Sequence, residues 1–414
     1  MPLHARSTAA EPRRLQFAVS FALIMAGVDQ SAPTATSVGE TPMTAYRIIS
    51  SDSHVFEPAD LWTTRIDKPF RERAPRVISD GQYDQWVVED GKKVGSIGLV
   101  SQAGVRFEAP EKITFGGSYQ HVRPGGWDPH EHVKDMEIDG VSGGVLYPSN
   151  GLFFFRIPDS ALLSAIFRVY NDWLAEFCQV YPKQLKGIAM VNVDDPEEGV
   201  KELERAAKLG LVGAMIAVSP LPDRPYSLPN YEPFWAAAQD LDMPISLHTA
   251  TQRPGPGVPT LDNATQTATQ RANIDHWVRT SLSDMIYAGV FERYPKLKVA
   301  AVEFELAWVP YFLRMLDYVY IERQQQASYR FKDELRPSDF FHRNIYLSFQ
   351  EDDLGIQLRH LIGVDRLMWG SDYPHAESTW PKSQEILERI LTGVPDEEKA
   401  LIAGANAARL YQFN

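Results

Sequence analysis

A single cysteine, Cys178, stands in a chain of 414 residues. One thiol forms no internal disulfide and builds no cysteine-rich metal site. Its place in the apolar, helically spaced stretch YNDWLAEFCQVYP makes it a core residue, and a reducing compartment is compatible. Positive charge is also short: 41 Lys and Arg against 54 Asp and Glu leave a net charge of −13. Nucleic-acid binding draws on clustered Lys and Arg, so nucleic acid is excluded as the partner. The apolar run in RRLQFAVSFALIMAG is too short to span a membrane. No nucleophile elbow that would present a serine is visible. The glycine-rich GGSYQHVRPGG lies between no strand and helix that would make it a phosphate loop. Short internal repeats and low-complexity tracts are missing as well.

What remains has ordinary globular balance, 44% hydrophobic and 23% charged, with length for a large core as one α/β barrel or two domains. At the N-terminus Arg13 and Arg14 precede an apolar run and then SAPTA, a loose imitation of a secretory signal. The favoured reading takes residues 1–42 as an extension, disordered or foreign to the native protein. A cytoplasmic enzyme then starts at MTAYRIISSDSH.

From Met43 onward, short apolar runs rich in branched residues recur: YRIISSD, GGVLYPS, LKGIAMVNV, VGAMIAVSP, MPISLHT, KLKVAAVEFE, RNIYLSFQ and DRLMWGSDYPH. Segments with helical spacing separate most of them, among them SALLSAIFRVYNDWLAEFCQVY, DPEEGVKELERAAKLG and LAWVPYFLRMLDYVYIERQ. Strand alternating with helix predicts a parallel sheet buried on both faces, and eight such strands close a TIM (β/α)8 barrel. Asp195 is placed to cap one helix and Gly210 to end it. Residues 61–136 break the alternation, and Asp90-Gly91 between strand-like runs predicts a hairpin. This stretch is expected to be an insertion after the first strand, a cap or loop region over one end of a barrel formed by residues 43–414.

In a TIM barrel the C-terminal ends of the strands converge on one mouth, where active sites form. Asp52 and His54 end the first predicted strand, His248 the fifth, Glu303 the sixth and Asp372 the eighth. A lone histidine after an apolar run is more often a core or capping residue. Two histidines and two aspartates recurring at strand ends shift that balance towards a shared site. Carboxylates and imidazoles from different strands suit one divalent cation, zinc or manganese, with iron(II) as a further option. Asp372 is the candidate to move a proton as well as to touch metal.

SDSHVFEP, ISLHT, LKVAAVEFELAWVPYFLRMLD and LMWGSDYPHAESTWPKS, in that order and followed by NAARLY, resemble the amidohydrolase superfamily, in the branch of aminocarboxymuconate-semialdehyde decarboxylase. The likeness runs from about Met43 to the end of the chain. It implies a distorted TIM barrel, a single divalent metal, and metal ligands at Asp52, His54, His248 and Asp372. Three departures qualify the match. Asp52-Ser53-His54 replaces the frequent H-x-H, resembles a D-x-H-x-x-E subgroup, and favours manganese over zinc. Glu303 stands where the decarboxylase pattern has a histidine, so that residue's acid–base role does not carry over. The fourth strand offers no lysine to bridge a second metal.

Around this centre Glu57 has three readings: an acceptor orienting His54, a ligand, or a cap on the turn before Pro58. His375 is a candidate to face substrate, against a plainer reading as a surface-loop histidine. Glu303 is a candidate second acid–base group, against a buried structural acid. Arg123 is a candidate for holding a substrate carboxylate and Trp127 for lining the cavity. His121, His130 and His132 are read as part of a solvated loop. The expected reaction is non-oxidative decarboxylation of an aromatic or unsaturated acid, a small-molecule carboxylic acid substrate. Hydrolysis of an amide, lactone or vinylogous bond by metal-bound hydroxide is the alternative, and a non-catalytic binding scaffold a remote one. A homodimer is the general expectation for barrel enzymes of this kind.

Overall fold

The computed structural model describes residues 46–89, 91–260, 267–332 and 334–413. The extension at residues 1–42 and the turn residue Asp90 lie outside them. The chain opens with β1 (Ile49–Val55) and passes through β2 (Arg76–Ser79), β3 (Asp84–Val88) and β4 (Lys92–Val94). It then lays down β5 (Gly143–Pro148), β6 (Leu185–Met190), β7 (Gly213–Ile216), β8 (Ile245–His248), β9 (Val299–Val302), β10 (Ile345–Phe349) and β11 (Leu367–Trp369). β1 and β5 to β11 form one eight-stranded sheet in chain order, and their ladders are parallel throughout. Each of the eight apolar runs of the sequence supplies one of these strands. Seven of the eight are buried along their whole length and Lys186 alone interrupts β6, as a sheet covered by helices on one side and filled by side chains on the other requires.

Local signals explain why the intervening segments turn helical. Asp159 accepts the backbone N–H groups of Ala161 and Leu162 and so starts the helix Ser160–Gln179. That helix buries Leu162, Leu163, Ile166, Phe167, Tyr170 and Leu174 at spacings of three and four. Asp195 caps the helix Pro196–Lys208 in the same way, with Glu197 and Glu198 in the first turn and Arg205 and Lys208 in the last, each charge opposing the helix dipole. Gly210, at φ +88°, takes the left-handed conformation that stops it. Among the described residues no helix is long and apolar enough to cross a membrane.

The first and last strands meet at a seam. Asp372 N–H donates to Asp52 O at 2.8 Å and His54 N–H to Tyr373 O at 2.6 Å. Serine hydroxyls add to it: Ser51 Oγ bonds Ser348 Oγ at 2.8 Å and Trp369 O at 2.9 Å, and Ser371 N–H donates to Ser50 Oγ at 2.9 Å. Gly370 permits this approach, because a Cβ there would lie 2.6 Å from the Cβ of Asp52. The register against β5 shifts between Ser50 and Ser53, an irregularity of the kind that re-aims side chains beside active sites.

Between β1 and β5, β2, β3 and β4 form a three-stranded antiparallel sheet. Trp86 of β3 is buried edge-on to Trp62, with ring centroids 5.1 Å apart, and Trp62 packs on Phe154 at 4.9 Å. The small sheet therefore shares its apolar face with the barrel's own side chains. Cys178 is buried in the long helix.

Candidate metal centre

Strand ends deliver the polar groups. Asp52 and His54, two residues apart on β1, share a face, His248 closes β8, and Asp372 follows β11. His54 Nε2 lies 3.3 Å from Asp52 Oδ1 and 3.1 Å from Asp372 Oδ1, and His248 Nε2 lies 3.4 Å from Asp52 Oδ1. All four side chains are at most 2% exposed.

The imidazole tautomers follow from their other contacts. His54 Nδ1 meets Pro148 O at 2.9 Å and His248 Nδ1 meets Thr249 O at 3.0 Å. A carbonyl only accepts, so both Nδ1 atoms carry the hydrogen, and both Nε2 atoms face the carboxylates. Carboxylates buried around two imidazoles call for positive charge among them, supplied by a proton on an imidazole or by a bound cation. His54 Nε2 and Asp372 Oδ1 also have no well-aligned hydrogen-bond partner despite their burial. A divalent cation meets both needs, and the donors' chemistry fits one. Three overlapping groups of donor atoms each fall within 4.8 Å: Asp52, His54 and His248; His54, Asp372 and His375; Asp52, Glu303 and Asp372.

Electrostatics divides the carboxyl groups into two kinds. Burial alone would raise the pKa of Asp52, but His248 and His54 outweigh it and hold the group below the usual carboxylate range. Asp372 is likewise held low against burial, by His375 and His54. His54 is pushed well above its ordinary value because Asp372 and Asp52 overcome the cost of burial. Glu303 goes the other way: burial first, then the negative charges of Asp372 and Asp52, lift it well above the carboxylate range. Ionised and neutral acids thus face one space.

Backbone strain gathers here as well. Ala250, Glu303 and Asp372 adopt φ of +65°, +65° and +58°, a left-handed conformation that costs a non-glycine residue on the order of 1 kcal/mol or more and clusters at functional sites. Asp372, Glu303 and His375 line a cavity of about 320 Å³ together with Phe153, Arg156 and Arg271.

His375 is buried, not a surface-loop residue. Its Nδ1 lies 2.8 Å from Asp372 Oδ1, its Nε2 lies 3.0 Å from Ser149 Oγ, and its ring stacks on His54 at 3.9 Å. Glu57 is not the acceptor that orients His54, whose Nδ1 meets Pro148 O. Its carboxylate accepts Asn150 N–H at 3.0 Å and Gly151 N–H at 2.8 Å, so it caps the turn after β5. Arg123 forms a two-pronged pair with Asp135, at 2.7 and 2.5 Å, and lies over the Trp380 ring. Trp127 is 45% exposed, and neither it nor Arg123 is among the walls of the cavity. His132 corrects the solvated-loop reading, being fully buried with Nδ1 bonded to Gly125 O at 2.7 Å.

Arg156, Arg271 and Ser149 escaped sequence reasoning. Arg271, in the short helix Ala268–Ala272, pairs with Glu377 and lies 3.9 Å from Glu303 Oε1. Ser149 does end a strand, directly after β5, but a lone serine there carries no mark of a site, and the two arginines lie outside the strand ends, where in sequence they are indistinguishable from solvated ones.

An eight-stranded parallel barrel with imidazole and carboxylate donors at its C-terminal mouth is the architecture of a metal-dependent barrel enzyme. The amidohydrolase family profile matches residues 151–413, and the chain belongs to that family. It is 28% identical over 302 residues to gamma-resorcylate decarboxylase of Polaromonas sp. (strain JS666), covering 68% of this chain and 86% of that one. Among solved structures, an amidohydrolase from Mycobacterium avium subsp. paratuberculosis K-10 superposes with a TM-score of 0.70 at 21% identity, over 89% of this chain and 98% of that one. The 5-carboxyvanillate decarboxylase of Novosphingobium aromaticivorans, complexed with manganese and 4-hydroxy-3-methoxy-5-nitrobenzoic acid, superposes with a TM-score of 0.62 at 18% identity, over 92% and 100%.

Proposed function

We propose that this chain is a decarboxylase of aromatic carboxylic acids dependent on one divalent metal, manganese or zinc, held by Asp52, His54, His248 and Asp372. The observation that carries the reading is the convergence of the Nε2 atoms of His54 and His248 on the carboxylates of Asp52 and Asp372, beside Glu303, in one buried space. When bound, such an ion supplies a Lewis-acid contact for the substrate carboxylate and a neighbouring oxygen. Gamma-resorcylate and carboxyvanillate, the acids in the relatives' names, carry groups of that kind.

The chain's own residues do the rest. Arg271 and Arg156 place positive charge along the wall of the cavity, where it steadies an anionic ring substrate. Phe153, with Leu99 and Phe115 from the inserted segment, gives the ring an apolar seat; residues 61–136 act as the cap that keeps water from the reacting carbon. Glu303 is the proton donor. As the bond between ring and carboxyl breaks and carbon dioxide leaves, the electron pair on the ring carbon takes the Glu303 proton, and solvent restores the carboxyl. Asp372, kept ionised by His375 and His54, is the poorer donor and serves as ligand.

The test is incubation of manganese- or zinc-loaded protein with hydroxylated benzoic acids in deuterated water. Carbon dioxide release with deuterium at the vacated ring carbon is expected. Turnover of lactones or amides with no carbon dioxide from any acid would replace this reading with hydrolysis.

A further inference from the structure

The cavity over Asp372 adjoins a second one of about 390 Å³, and Arg156 and Thr249 line both. Their walls differ in charge. The first carries Glu303, Asp372 and Glu377, whereas among the described residues no carboxylate lines the second. Pro256, Ile274 and Trp277 give the second chamber flat apolar surface, and Gln252 and Asn273 give it neutral hydrogen-bonding groups. Gln252 is only 6% exposed, yet its side-chain oxygen has no hydrogen-bond partner. A buried acceptor left unpaired is costly and calls for a donor. Arg156, 4% exposed, stands at the junction as a desolvated cation. Each cavity alone sits near the lower end of the roughly 300–1,000 Å³ typical of ligand sites, and joined they reach the middle of it.

We propose that the substrate is a two-ring acid: its carboxyl-bearing ring occupies the cavity over Asp372, and a second aromatic ring carrying a hydroxyl group reaches past Arg156 into the adjoining chamber. The distal hydroxyl donates to Gln252 Oε1 and accepts from the Arg156 guanidinium, while the ring lies against Ile274 and Trp277. A single-ring benzoate leaves this chamber to water. The inference rests on the proposed reading of the first cavity as an aromatic-acid site.

Calorimetry on the full, manganese-loaded chain tests it with three probes: 2-hydroxybenzoate, its 5-phenyl derivative and its 5-(4-hydroxyphenyl) derivative. The hydroxyphenyl acid is expected to bind about tenfold or more tighter than 2-hydroxybenzoate, and tighter than the phenyl acid, the margin of one hydrogen bond to a charged group. Asn273→Trp fills the chamber from an exposed position and is expected to collapse that ratio towards one; Thr269→Trp, also exposed, does the same should the first variant not fold. Equal binding of all three acids, or a ratio that survives both variants, overturns the two-ring proposal alone. Binding of none of them overturns the aromatic-acid reading and the proposal with it.

Discussion

At the mouth of the barrel, Asp52, His54, His248 and Asp372 come from strands far apart in sequence and leave polar atoms without hydrogen-bond partners. In the segment between β1 and β5, Arg123 finds Asp135 twelve residues on and His130 Nδ1 meets the Tyr181 hydroxyl at 2.9 Å. Both regions are dense in histidine and acid. One crowds Asp52, Asp372 and Glu303 about two imidazoles, with three non-glycine residues in left-handed backbone, and the other pairs its charges locally. A group whose needs are met by its neighbours has nothing left to offer a ligand, whereas a buried cluster in conflict is stable only with something added to it.

The largest effect should follow from removing a group at the mouth. Purified protein is expected to carry about one manganese or zinc per chain by mass spectrometry, and His248→Ala or Asp372→Asn to lose it. Decarboxylation should then fall by about a thousandfold or more, since substitution of even the outer partners of a metal centre costs roughly 10- to 100-fold. Full metal content in both variants would break the contrast between the two regions.

Glu303→Gln sharpens it. Glutamine preserves shape and neutrality but has no transferable proton, so metal content should stay constant while turnover falls about 10²- to 10⁴-fold, the range of a lost general acid. A variant that turns over normally would return Glu303 to the role of structural acid.

The barrel and its mouth were legible because period and position are local properties. Each branched run reads as a strand, and the residue after it points to the mouth once the fold is known. Asp52, His54, His248 and Asp372 read that way, and the structure links them at 3.1–3.4 Å. Position in sequence carries no record of what a side chain will meet, however. Arg123 and Arg271 look alike in the sequence; only tertiary packing sets one against Asp135 and Trp380 and the other against Glu303. Glu57 failed as a partner of His54 for a related reason. Its spacing suits a second acceptor, but its carboxylate is taken by the backbone N–H groups after β5, and Pro148 O takes His54 Nδ1.

Arg123→Met probes the quieter region. It should leave metal content and turnover intact and lower stability by about 1–2 kcal/mol in urea unfolding, because Asp135, whose side chain is 6% exposed, loses a charged partner. The Tyr373 hydroxyl still donates to Asp135, which limits the loss. A collapse of substrate affinity with unchanged stability would instead move Arg123 into the site.

The smallest effect concerns His132, which lies edge-on to Phe177 and Tyr373 with its Nε2 unpartnered. Burial pushes its pKa down to about 4 from 6.5, so the folded state holds it neutral where the unfolded chain takes up a proton. Its contribution is present above pH 6.5 and is lost as pH falls towards 4, at no more than about 1.4 kcal/mol per pH unit. Asp139 and Glu305, raised to about 7 chiefly by burial, act in the opposite sense, since their protonation in the folded state adds stability as pH falls below 7. The parent's pH profile therefore mixes all three, and only a difference isolates the histidine. His132→Asn keeps a donor for Gly125 O but does not titrate. Its stability deficit at pH 7 should shrink by up to about 2 kcal/mol at pH 5, measured by urea unfolding at both. A deficit equal at the two pH values would mean that this buried ring is as readily protonated as a solvated one.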